Sequence, residues 1–181
     1  MHPSPGYVFW LFGLSGAGKS TLAAGLAAKL RAGGRAVLSL DGDVLRGGLC
    51  RDLGFTEEGR AENLRRAAEA ARLAVDSGIN VVASFITPRE TYRDAIRAIV
   101  GEANLALVFV DASLAVCRGR DVKGLYARAK AGKVKLMTGI ASSFERPVLS
   151  DLALHTDRES VTASLKRLRN FALSRLRTRG R

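Results

Sequence analysis

The chain has 181 residues, 47% of them hydrophobic, and a mean hydropathy of +0.05, so it can bury the core of one α/β domain and is not a disordered polyelectrolyte. The balance of 29 Lys+Arg against 17 Asp+Glu gives a net charge of +12, which calls for an anionic partner: nucleic acid, a membrane surface or a phosphorylated small molecule. Cys50 and Cys117 are the only cysteines, too few and too far apart for a disulfide framework or a zinc knuckle, and free thiols in a reducing cytoplasm are expected.

No apolar run approaches the roughly 20 residues of a spanning helix, and MHPSPGYVFWLFG lacks the basic start and small-residue cleavage site of a signal peptide. A cytoplasmic protein without a membrane partner is expected.

Residues 7–12, YVFWLF, read as a buried strand. A Gly-rich turn follows, then a helix from about Lys19 to Leu30, ended by Gly33-Gly34. AVLSL at 36–40 is a second strand. Leu64, Ala67, Ala68, Ala71, Ala74 and Val75 form one stripe of a helix over 60–77, stopped by Gly78. INVVASF at 79–85 is a third strand, and Pro88 begins or precedes a helix running to about Val100. LALVFVDA at 105–112 is a fourth strand and LALH at 152–155 a weak fifth. Val161, Leu165, Leu168, Ala172 and Leu176 give the last segment one apolar face, as in a docked helix. Strands alternating with helices predict a parallel α/β sheet sandwiched between helices, with ligands beyond the C-terminal strand ends.

Gly13-Leu14-Ser15-Gly16-Ala17-Gly18-Lys19-Ser20 matches G-x-x-x-x-G-K-[ST] between a predicted strand and a predicted helix. Glycines there let successive N–H groups turn toward phosphate oxygens, and the helix N-terminus adds partial positive charge. The loop, continuing into Thr21, predicts ATP binding. Lys19 reaches the outer phosphates and the Ser20 hydroxyl ligates Mg2+. A base-reading N-K-x-D element is missing, and the length suits a small-molecule kinase.

Asp41-Gly42-Asp43 follows the second strand directly. One of these carboxylates can order Mg2+, with Asp41 the candidate, and Asp43 can take the proton of an acceptor hydroxyl. Arg46 and Arg60 can grip an anionic acceptor, and Phe55 in a loop can stack on a planar base.

DGDVLRGGLCRDLGFTEEGRAENLRR at 41–66 resembles the acceptor block of the adenylylsulfate kinase (APS kinase) family. The likeness continues in SFITPRETYRDAIR at 84–97, in VFVDASLAVCRGRDVKGLYARAKAGKVK at 108–135 and in TGI at 138–140. It implies a P-loop NTPase-type fold in one domain over 1–181, with a mobile basic lid at about 118–145. It also implies transfer of the γ-phosphate of ATP to the 3′-hydroxyl of adenosine 5′-phosphosulfate, and it is compatible with a homodimer. By position, Asp43, Arg46, Arg60 and Asn63 contact the sulfonucleotide, Phe55 stacks on its base, and Ser84 and Ile86 line the pocket. Lys123 opens the lid, and Arg118 and Arg120 serve ATP. Between Arg118 and Lys135 seven basic residues stand against one acid, Asp121, which suits a loop closing over phosphates.

The likeness frays at the acceptor end. Met137 stands where the family has a Phe that forms the second slice of a base sandwich, and Ala141 and SSFERP at 142–147 replace a more acidic stretch. A different nucleotide acceptor, such as a cytidine diphosphate derivative (cytidine diphosphoramidate), stays open. Nucleic-acid binding through RLRNFALSRLRTRGR is the competing class, but the Leu and Phe positions of that run fit a packed helix.

Overall fold

A computed structural model of the chain describes residues 5–121, 124–130 and 143–177. β1 (Val8–Phe12) is buried at every position because it lies at the centre of the sheet. It sits between β3 (Asn80–Phe85) and β4 (Leu105–Asp111), with β2 (Val37–Asp41) and β5 (Leu152–His155) at the edges. Every pairing is parallel, with Phe12 opposite Phe85 on one side and Phe109 on the other.

Both faces of the sheet are covered. Phe9 and Leu11 enter one core, shared with α1 (Lys19–Ala32) and α7 (Val161–Arg177). Val8, Trp10 and Phe12 enter the other, shared with α3 (Glu57–Asp76) and α4 (Glu90–Val100). Burial on two sides is why the strands are continuous apolar runs rather than alternating ones.

The expected elements lie where the sequence pattern put them, with shifted ends. α3 begins three residues before the expected Arg60, because Thr56 caps it by accepting from the Gly59 N–H and Glu57 and Glu58 complement its first turn. α4 opens at Glu90, after Pro88, where the Glu145 carboxylate accepts from the Glu90 N–H at 2.8 Å. The described residues also form short helices α2 (Gly42–Arg46), α5 (Leu114–Arg120) and α6 (Leu125–Lys130), and a 3-10 turn over Glu102–Asn104. α2 had no periodic signal at five residues; it forms because Asp41 accepts from the Asp43 N–H. No helix among the described residues is long and apolar enough to cross a membrane.

Candidate active site

The strand ends bring together the turn after β1, Asp41 at the end of β2, residues 84–88 at and beyond the end of β3, Asp111 of β4 and Thr156 after β5. The turn after β1 depends on its glycines. Gly13 has φ +148°, and a Cβ there would lie 2.3 Å from the Val110 carbonyl oxygen. Gly16 has φ +82° and would meet the Cys117 oxygen at 2.8 Å. Gly18, in the left-handed region, starts α1 with no side-chain cap and no acid in the first turn. The helix N-terminus is therefore left for an anion.

The carbonyls of this turn are all taken from outside. Lys19 Nζ donates to Leu14 at 2.8 Å, the Tyr126 hydroxyl to Ser15 at 2.9 Å, Arg120 to Gly16 at 3.3 Å and the Thr156 hydroxyl to Ala17 at 2.7 Å. Because a peptide plane carries its N–H opposite its C=O, carbonyls held outward leave the Ser15, Gly16 and Gly18 amides for a ligand, while the Ala17 N–H closes the turn on the Leu14 carbonyl at 3.2 Å. Arg120, expected at ATP, also donates to the backbone and hydroxyl oxygens of Thr156. Arg118 is exposed. Thr21 is exposed on the first turn of α1.

Asp41 is the hub of the acidic side. Its Oδ2 accepts from Ser20 Oγ at 2.8 Å and Ser84 Oγ at 2.6 Å, while Oδ1 accepts from the Asp43 N–H at 3.0 Å. This joins the phosphate turn to β2 and β3 in one cluster of oxygens. A hydroxyl and a carboxylate are hard donors that suit Mg2+. No group of three or more His, Cys, Asp or Glu able to hold a metal occurs among the described residues.

The proposed acceptor residues meet around the segment 53–57. Arg46 donates to the carbonyls of Leu53 at 3.1 Å and Gly54 at 2.9 Å and stacks 4.4 Å from the centre of the Phe55 ring. Arg60 donates to the Phe55 carbonyl at 2.9 Å. Burial lowers the pKa of both guanidinium groups, and for Arg60 the charge of Arg46 adds to it. Phe55 is 61% exposed, with Arg46 over its ring. Asn63, on α3, is buried, and its Oδ1 has no hydrogen-bond partner. Such an atom is expected to be satisfied by a ligand. Ser84 is buried beside Asp41, and the Ile86 carbonyl accepts from the Gly13 N–H at 3.2 Å, so acceptor wall and phosphate turn share a hydrogen bond. Lys123 and Met137 lie outside the described residues.

Sequence reasoning missed Thr156, the anchoring of Tyr126, and Arg66, which ties the 49–52 loop to α3 through Asp52 at 2.7 Å and the Leu49 carbonyl at 3.0 Å. It also missed Arg146, which pairs with Asp111 at 2.7 Å, beside His155. None has a local motif. Cys50 and Cys117 are buried and unbridged, and burial pushes both thiols up.

A glycine phosphate turn opening a helix, a Ser–Asp–Ser cluster at its mouth and the arginines gathered on segment 53–55 define a P-loop kinase of small molecules. The model of the adenylylsulphate kinase family matches residues 5–155. An adenylyl-sulfate kinase of Paraburkholderia xenovorans is 50% identical over 181 residues, covering 100% of this chain and 98% of that protein. A Mycobacterium tuberculosis APS kinase, solved with AMPPNP and APS, superposes with a TM-score of 0.89 at 41% identity, covering 94% of this chain and 99% of that one. A hexameric APS kinase from Thiobacillus denitrificans gives a TM-score of 0.69 at 26% identity, over 96% of this chain and 30% of that one. The chain belongs to the adenylylsulfate kinase family.

Proposed function

We infer that this chain transfers the γ-phosphate of ATP to the 3′-hydroxyl of adenosine 5′-phosphosulfate (APS), giving 3′-phosphoadenosine 5′-phosphosulfate and ADP. The observation that carries the assignment of roles is the meeting of Ser20, Ser84 and Asp43 on one carboxylate, Asp41, between the phosphate turn and the arginines gathered on segment 53–55.

In this reading the amides of Ser15, Gly16 and Gly18 hold the β- and γ-phosphates. Lys19 swings from the Leu14 carbonyl to the transferred group. The Ser20 hydroxyl and Asp41 would hold Mg2+, which supplies neutralisation of phosphate charge. Arg46 and Arg60 bind the phosphosulfate, Phe55 receives the base and Asn63 Oδ1 accepts a substrate N–H or O–H. The 3′-oxygen bonds to the γ-phosphorus as the bond to the bridging oxygen of ADP breaks, and the hydroxyl proton passes to Asp43. Arg118 and Arg120 add cations around ATP and Lys123 one on the acceptor side, within one kinase domain over 1–181 whose lid spans about 118–145. We assign the protein to the cytoplasm and expect a homodimer, which light scattering tests.

Met137-Thr138-Gly139-Ile140-Ala141 favours a second reading, a cytidine diphosphate derivative as acceptor, because Met stacks on a base less specifically than the Phe it replaces. A coupled ADP-release assay with Mg2+ across APS, cytidine diphosphate derivatives, AMP and sugars separates the two. Turnover with APS is expected; turnover with a cytidine nucleotide and none with APS would overturn the first reading.

A further inference from the structure

Arg93, on α4, has no part in the chemistry above, yet its side chain is fully buried. A guanidinium withdrawn from water is costly unless oxygens take its donors. Nε and Nη2 both donate to Glu90 Oε2, at 3.0 and 2.8 Å. Nη1 donates to the Thr87 carbonyl at 3.0 Å and Nη2 also to the Glu145 carbonyl at 3.1 Å. The group lies 5.2 Å from the centre of the Phe12 ring.

Those two carbonyls belong to separate stretches of chain. Thr87 sits in the turn after β3 and has φ +44°, the one non-glycine residue well inside the left-handed region among those described. A β-branched residue reaches that conformation only when its surroundings impose it. Here it is held from two sides. The Trp10 indole N–H donates to its hydroxyl at 2.9 Å, from the strand beneath the phosphate turn, and Arg93 holds its carbonyl. The neighbouring Ile86 is the residue whose carbonyl receives the Gly13 N–H. Glu145 arrives from the other stretch: its N–H donates to the Pro88 carbonyl at 2.8 Å and its carboxylate caps α4. One buried charge therefore fastens 86–88 to 145.

We propose that Arg93 is a positioning residue for the nucleotide acceptor. It holds Thr87 in its left-handed conformation, so that the turn carrying Ser84 and Ile86 keeps the shape of the acceptor wall. The inference rests on the assignment of 84–88 to the acceptor. It places Arg93's effect on one substrate, although the residue touches neither. A purely structural arginine would lower stability without separating the two substrates.

The test is steady-state kinetics of the full chain with each substrate varied in turn. Arg93→Met is expected to raise KM for APS about tenfold or more while KM for MgATP stays within about twofold. Arg93→Lys keeps the charge and one donor and is expected to recover part of that loss. Should Arg93→Met fail to fold, Trp10→Phe frees Thr87 from its other side with Arg93 in place, and the same acceptor-only shift is expected. Thr156→Val, beside the phosphate turn, is the control that shifts KM for MgATP instead. Both KM values rising together, or a lowered Tm with neither KM changed, overturns the proposal. A wild-type chain that turns over a different nucleotide and not APS removes the acceptor assignment alone, and the split measured with that nucleotide then decides on Arg93.

Discussion

Asn63→Leu is expected to make the protein more stable and the enzyme worse. Asn63 is 4% exposed, and its Oδ1 has no partner. A buried carbonyl oxygen without a hydrogen bond costs about 1–3 kcal/mol, and leucine removes it with the same number of side-chain heavy atoms. Leucine also favours the interior of α3 by a few tenths of a kcal/mol over asparagine. The expected gain is about 1–2 kcal/mol, which in a chain of this size raises Tm by roughly 2–6 °C. The acceptor loses one neutral hydrogen bond, about 1–1.5 kcal/mol, or close to tenfold in KM. Thermal unfolding by calorimetry gives the first quantity and steady-state kinetics with varied acceptor the second. A destabilised variant with unchanged acceptor KM would refute the reasoning, because Oδ1 would then be serving the fold and not the substrate.

Gly13→Ala is expected to abolish ATP binding, since a Cβ 2.3 Å from the Val110 oxygen at φ +148° forces β1 and β4 apart; calorimetric titration with ATP checks this. Tyr126→Phe removes the bond to the Ser15 carbonyl and nothing else, so about 1 kcal/mol of stability is expected to go, with a several-fold rise in KM for MgATP and none for the acceptor. Burial pushes the Tyr126 hydroxyl up to about 12, so this bond is expected to persist across the whole working pH range. Hydrogen bonds from Arg65 and then Arg66 lower Glu62 from 4.5 to about 2. A carboxylate lowered in the folded state stabilises above its unfolded pKa, and that contribution fades as pH falls from 4.5 toward about 2. Glu62→Gln is therefore expected to flatten the acid limb of a stability–pH profile in that window and leave the neutral region's slope unchanged; an unaltered acid limb would contradict it.

The sheet was readable because a central parallel strand buries both faces, so YVFWLF and LALVFVDA carry an apolar signal at every position. The phosphate turn was readable because its glycines are demanded locally, by backbone conformation and close approach. α2 was hidden because five residues hold no helical period. Arg93 was hidden for a different reason. On an amphipathic helix an arginine reads as solvated, and what buries this one is a carboxylate three residues back together with carbonyls from 6 and 52 residues away. Thr156 and Arg120 face the same difficulty, with partners 139 and 104 positions distant. Such contacts depend on the fold already being formed, and spacing along the chain holds no trace of them.

The net charge of +12 takes on a different meaning once each arginine's partner is known. Away from the strand ends, arginines meet carboxylates: Arg66 with Asp52, Arg72 with Asp76, Arg97 with Asp94 and Glu90, Arg167 with Glu159, Arg175 with Asp151. The last two lie on α7, so part of that helix's basic character is already answered within the chain. Around the site Arg146 still meets a carboxylate, Asp111, but other cations differ. Arg46 and Arg120 are hydrogen-bonded to carbonyl and hydroxyl oxygens, as Lys19 is to a carbonyl. A carbonyl orients a cation without neutralising it, whereas a carboxylate does both. Cations oriented in this way keep their charge for an incoming anion and lose little freedom when it arrives. The excess of basic residues thus becomes usable where two polyanionic nucleotides must be brought together against their mutual repulsion, and this favours small-molecule phosphates over a nucleic acid as the partner the composition first called for.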